Sequence, residues 1–226
     1  MKNITILNDK IKGKDNLIEK SEIVFKRVSD SFNFSNIPNI SILFHTSRSS
    51  FDKSLGRKTE MWEVGNTSSD NKIDIIHPDL FAKLSSHADS EFDQILAHEI
   101  AHIFINSLAS SKPIPFWLNE GLAMNIAGQV DKYKTDSDPM FIEEEFTSHL
   151  ATKQDWDSRV NSGAYKIACL FTNFLIERFT LNKVFELVTK TEKNYYAPYF
   201  KESVHQIFGK HILDLENDFV SWLNKI

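Results

Sequence analysis

Along the chain, apolar positions change period several times, and each change marks an element. Residues 3–7, "NITIL", have the β-branched centre of a short strand. Leu17, Ile18, Val24, Phe25 and Val28 recur at helical spacing, which predicts an amphipathic helix over residues 15–30. "IPNISILFH", residues 37–45, opens with proline and turns β-branched, so it reads as a strand. "SSFDKSLG" fits a short helix closed by Gly56. "MWEV" and "KIDIIH" flank the turn formers "GNTSSDN", a pattern that predicts a hairpin. "HPDLFAKL" reads as one or two helical turns.

From residue 91 onward the pattern is helical. One helix is expected over residues 91–109, and "SKPIP" ends it because proline cannot continue a helix. "PFWLNEGLAMNIAG" starts the next, with Pro115 at its first turn. "DKYKTDSDP" is polar and reads as a loop, and "FIEEEFTSHL" as a short helix. "SGAYKIACLFTNFLIERF" is apolar on nearly every face, as a buried central helix must be. Two or three further helices complete the chain. A mixed first part and an all-helical second part predict an α+β fold. The expected lobes are residues 1–130, carrying the sheet and the two helices around Pro115, and residues 131–226, all helical.

Composition narrows the function. The 226 residues suffice for a sizeable core. A net charge of -5 without a long basic run argues against nucleic acid as a partner. Cys169 is the single cysteine, which excludes an intrachain disulfide and a cysteine-based zinc cluster. No stretch is long and apolar enough for a membrane span. The first twenty residues carry charges throughout and lack an apolar signal core, so the expected location is cytoplasmic.

The chemistry concentrates in "LAHEIAHIFINSL". Burying two histidines and a glutamate among Ile, Leu and Phe is costly unless something pairs with them. His98 and His102 are four apart, on one face of the expected helix, where two imidazoles can grip one metal ion. Glu99 stands beside that ion and can take a proton from water, the H-E-x-x-H logic of two ligands and a general base in one helical turn. A catalytic zinc site takes three protein ligands. The extended H-E-x-x-H-x-x-G-x-x-H pattern fails, because Ile105 and Leu108 occupy the glycine and last histidine positions. Glu120 is the better third ligand. It lies on the next helix among Trp117, Leu118, Leu122 and Ala123, where a carboxylate needs a counter-charge. Gly121 beside it allows close helix approach. Two histidines and a carboxylate also suit Fe(II), but a base next to the first ligand favours hydrolysis.

"HEIAH" followed by "PFWLNEGLA" resembles the gluzincin zinc metallopeptidases, in particular the peptidase MA-like group, which carry H-E-x-x-H on one helix and W-L-x-E-G-x-A on the next. Weaker likenesses run from residue 37 to the end, in "ISILFH", "MWEVG", "KIDIIHP", "YKIACLFTNFLIERF" and "FKESVHQIFGKHILDLENDFVSWL". The interval between His102 and Glu120 is shorter than in the thermolysin-like and aminopeptidase branches. The resemblance implies a zincin-like fold with an active-site cleft between the lobes. It implies one zinc per chain held by His98, His102 and Glu120, with Glu99 as general base. It also implies a downstream oxyanion donor: Tyr165, which opens the apolar helix, with His149 and Tyr133 as rivals. The implied activity is a zinc-dependent peptidase acting on peptide or protein substrates. Without a G-x-M-E-N-like segment, internal cleavage is expected. "MWEVG" or "KIDIIH" could offer a sheet edge to an extended peptide.

Competing readings stand beside these. A gluzincin-like zinc domain could serve as a silent binding or regulatory module, but such a domain can lose its base, and Glu99 is present. Glu120 could sit in a buried salt bridge, and Tyr165 could simply pack. His45, His77, His87, His149, His205 and His211 are scattered, and most read as surface or turn residues. Cys169 reads as core, Glu143 to Glu145 as a solvated face, and the eighteen phenylalanines as core. Oligomeric state leaves no mark.

Overall fold

The computed structural model describes residues 3–8, 10–32, 37–68, 70–135, 140, 142–190 and 198–225. The chain is α+β, with a small mixed sheet and otherwise helices. It divides into two compact units, Met1–Phe104 and Ile105–Ile226.

In the first unit, β1 (Ile4–Ile6), α1 (Lys14–Phe32), β2 (Ile40–His45), α2 (Arg48–Leu55), β3 (Gly65–Thr67) and β4 (Lys72–Ile76) follow in order. A 3-10 turn at Pro78–Leu80 leads into α3 (Phe81–Leu84). The long α4 (Phe92–Leu108) then begins. The sheet order is β1-β2-β4-β3. β1 and β4 both run parallel to β2, and β3 runs antiparallel to β4, with Gly65 opposite Ile75 and Thr67 opposite Ile73. β4 is interior, and Ile73, Asp74, Ile75 and Ile76 are all buried, as in a strand covered on both faces. α1 buries Leu17, Ser21, Val24, Phe25, Val28 and Phe32 as one stripe. Phe25 and Phe32 meet Phe104 of α4 at ring-centroid distances of 5.6 and 5.1 Å.

The second unit takes in the last turn of α4. It continues with α5 (Phe116–Ala127), α6 (Val130–Thr135), α7 (Phe146–His149), α8 (Lys153–Arg159), α9 (Ala164–Phe179), α10 (Leu181–Lys190), α11 (Pro198–Phe208) and α12 (Ile212–Leu223). α9 is the buried centre that its sequence predicts. Phe171 and Phe174 of α9 cluster with Phe146 and Phe219, with centroid distances of 5.1 to 6.1 Å. α5 packs on α9 at Gly121, where any Cβ would overlap Thr172 Oγ1 and the Ala168 carbonyl.

Several elements differ from the sequence expectation. The hairpin exists, but its outer strand is Gly65–Thr67, drawn from the stretch read as the turn, and "MWEV" is no strand. The carbonyls of Met61 and Glu63 accept from Arg48 instead of from a neighbouring strand. "KIDIIH" is not an edge, since β4 lies between β2 and β3. "DKYKT" belongs to α6, and the rest of that expected loop, residues 136–139, lies outside the described residues. The helix expected over "FIEEEFTSHL" is confined to Phe146–His149. α8 had no separate place in the pattern; its N-cap Thr152 accepts from Asp155 N. The contact boundary falls after Phe104, whereas the expected lobe boundary was residue 130. The reason lies in Gly121, which commits α5 to α9.

Candidate metal centre

α4 carries His98, Glu99 and His102 in one turn. The helix ends in Ser110 and Ser111, both with positive φ (52° and 59°). The Ser111 N–H donates back to Asn106 O at 3.0 Å. Pro115, with φ -54°, then caps α5, and its carbonyl accepts from Leu118 N and Asn119 N, each at 3.0 Å. The first two N–H groups of α5, on Phe116 and Trp117, donate to the Ala151 and Leu150 carbonyls at 2.9 and 3.0 Å. Those bonds satisfy donors that a helix start leaves open. They fix the helix turn on which Glu120 stands.

His98, His102 and Glu120 are each half-buried, and one ligand atom from each lies within 4.8 Å of the other two. Among the described residues this is the one such group of three. The two Nε2 atoms are 3.0 Å apart, with the rings edge-on at 87°. Two nitrogens on a tetrahedral zinc stand about 3.3 Å apart, given zinc–nitrogen bonds of about 2.0–2.1 Å. The donor set therefore fits a divalent cation with small adjustment.

Glu99 lies against Thr67 and Gly65 of β3. It is 8 % exposed. Thr67 Oγ1 lies 2.8 Å from both the Glu99 carbonyl oxygen and Oε2, and its single hydrogen can be donated to either. Gly65 flanks the same carboxylate: an added Cβ would come within 2.8 Å of Glu99 Cγ and Oε1. Thr67 and Gly65 escaped the sequence reading because both lay in a stretch of turn formers. No periodicity marks a strand of three residues.

The proposed oxyanion donors stand as follows. Tyr165 packs edge-on against Trp156 of α8, centroids 4.9 Å apart. His149 is exposed, with Nε2 3.8 Å from Glu143 Oε2. Tyr133 lies half-buried on α6. None of the three is tied by these contacts to His98, His102 or Glu120.

The remaining candidates are structural. His45 and His77 are buried, at 5 % and 6 % exposure; His45 ends β2, neither at the surface nor in a turn, whereas His77 caps the 3-10 turn at Pro78–Leu80. His45 Nε2 is 2.8 Å from Asp74 Oδ1, and its Nδ1 is 3.1 Å from Ser50 Oγ. Burial pushes the Asp74 carboxyl up, but bonds from Ser54, Lys72 and His45 outweigh it, and the group sits below its ordinary value. This network ties α2 to the sheet. Burial pushes the Cys169 thiol up to about 12, which favours the protonated, packed form over a thiolate.

Among the described residues no helix is long and apolar enough to cross a membrane. No protein-family model, curated protein or solved structure matches the chain.

Proposed function

We propose that the protein is a zinc-dependent peptidase of the gluzincin kind, with a zincin-like arrangement of helices and sheet. The observation that carries this reading is the convergence of ligand atoms of His98, His102 and Glu120 within 4.8 Å, with the buried Glu99 next to His98 on α4. His98, His102 and Glu120 would hold the cation. When bound, the cation supplies Lewis acidity that brings water towards a neutral pKa and polarises a carbonyl.

The chain's own residues do the rest. Glu99 accepts the proton of the attacking water and passes it to the leaving amine. Thr67 holds Oε2 of Glu99 by a hydrogen bond, so the carboxylate is aimed before substrate arrives. β3 is paired on one side only among the described residues, so its other side can receive an extended peptide by strand addition. An oxyanion donor is required as well, and Tyr165 remains the assignment to test.

The test is metal analysis followed by cleavage. Protein purified without added metal should carry about one zinc per chain. Glu99→Gln should keep that zinc and lose cleavage of a peptide library. Glu120→Gln should lose the zinc. Full cleavage by Glu99→Gln, or zinc retained at full affinity by Glu120→Gln, would overturn the proposal.

A further inference from the structure

Three helices of the second unit begin beside one another. Pro115 caps α5 and Trp117 is its second residue, Phe200 and Lys201 are the third and fourth residues of α11, and Ile212 opens α12. These residues meet around one cavity of about 160 Å³. Its apolar wall comes from Pro115, Trp117, Phe200 and Ile212, with Ala151 from the chain between α7 and α8. Trp117 and Phe200 are 1 % and 6 % exposed, and their rings meet edge-on with centroids 6.5 Å apart. An apolar cavity of roughly 150 Å³ accepts a guest the size of benzene.

The charge around this wall has one sign. Lys201 lines the cavity, and no acidic residue does so among the described residues. Lys201 is exposed, and a lysine stem can lie on an apolar wall while its ammonium stays in water at the rim. Each helix beginning adds about half a positive charge, felt within the first turn. At α12 the N-cap His211 makes no side-chain cap bond, so the first N–H groups of that helix are left for another acceptor. A further donor belongs to the wall residue Trp117, whose indole Nε1 is buried without a hydrogen-bond partner among the described residues. Native structures rarely leave such a group unmatched. Thr147 also lines the cavity, but its N–H and hydroxyl already donate to Glu216. A neutral guest would leave Lys201 and the helix beginnings without a counter-charge. A small inorganic anion would leave the apolar wall uncovered. An apolar body with an anionic head answers both.

We infer that this cavity binds a small carboxylic acid whose apolar body, the size of a phenyl ring, packs against Trp117 and Phe200 while its carboxylate meets Lys201. His98, His102 and Glu120 do not line it, and the inference stands without the peptidase reading. The whole chain is titrated with phenylacetate, phenylacetamide and acetate, followed by ligand-observed NMR. Phenylacetate should bind with a Kd below about 1 mM, within reach of a ligand of about ten heavy atoms. Phenylacetamide keeps the shape and loses the charge; it should bind about tenfold more weakly, and acetate should not bind detectably. Lys201→Ala should weaken phenylacetate about tenfold and leave phenylacetamide unchanged, and Lys201→Arg should restore most of the loss. Ala151→Leu, which fills the cavity, should abolish binding of both aromatic probes. Lys201→Ala alters an exposed side chain, so it decides the matter even if the leucine variant does not fold. A carboxylate can also ligate a cation at the candidate metal centre, so Glu120→Gln is titrated in parallel and should match the wild type. Absent binding of phenylacetate, equal binding of phenylacetamide, an unaltered Kd in Lys201→Ala, or binding lost in Glu120→Gln each overturns the inference.

Discussion

Thr67 Oγ1 lies 2.8 Å from Oε2 of Glu99, so a hydroxyl on a three-residue strand reaches the carboxylate proposed to handle the proton. The two residues are 32 apart in sequence, and only the β3–β4 hairpin brings them together. A carboxylate held in this way is aimed without help from substrate. Removing the bond should therefore be felt in the chemical step. Thr67→Val keeps the size and deletes the donor. It should lower kcat by about 10- to 100-fold while zinc content stays unchanged, and Thr67→Ser should restore most of the rate. Steady-state kinetics with metal analysis on the same samples checks this; an unaltered kcat in the valine variant would sever Thr67 from the mechanism.

Gly65 guards the other side of that carboxylate. Its φ raises no obstacle to a side chain, but its space does: a Cβ would press within 2.8 Å of Glu99 Cγ and Oε1. Gly65→Ala should push the carboxylate aside and cost about 100-fold in kcat, since displacements near 1 Å can carry that cost. Thermal unfolding should change little by comparison. A variant with wild-type kcat would mean that Glu99 moves freely.

Gly121 acts on stability. The clash that any side chain would meet there is with Thr172 Oγ1 and with backbone at Ala168, which cannot rotate away. Overpacking of this kind costs about 1–3 kcal/mol. In a chain of this size each kcal/mol is worth about 2–4 °C, so Gly121→Ala should melt several degrees lower by circular dichroism. Because Glu120 is the neighbouring residue, zinc affinity should fall as well.

Glu216 gives a pH prediction away from the candidate metal centre. It is 5 % exposed and accepts from Thr147 N at 3.0 Å and Thr147 Oγ1 at 2.5 Å. Burial raises its carboxyl above the ordinary value, a push that the Thr147 bonds only partly offset. The folded state therefore holds this proton more tightly than the unfolded state does. The sign follows: this group favours folding as pH falls through its raised value, and its ionised form costs stability at neutral pH. Glu216→Gln keeps an acceptor for Thr147 and removes the buried charge. It should match or exceed the wild-type melting temperature at pH 7, and the advantage should shrink towards pH 4. Marked destabilisation at pH 7 would show that the charge itself holds α7 to α12.

Much of this protein is legible along the chain. The amphipathic stripe of α1, the β-branched run of β2, the Gly56 stop of α2 and the apolar run of α9 are local signals that the structure follows. His98, Glu99 and His102 share a helical turn, so one residue spacing fixes their relative placement, and the proline break marks the next helix as the source of a third ligand. One oxygen of the Glu120 carboxylate lies within 4.8 Å of a nitrogen of each imidazole, a group that could hold a metal ion.

Other features were decided only in three dimensions. β3 formed from turn formers because Arg48 took the carbonyls of the preceding loop and left Gly65 to Thr67 to pair with β4. His45 was buried beside Asp74 and Ser50. The physical reason is one of range. Helical period and residue spacing act over a few neighbours and are written in the chain itself, whereas partners dozens of residues apart are chosen by packing and by the need to satisfy each buried polar group.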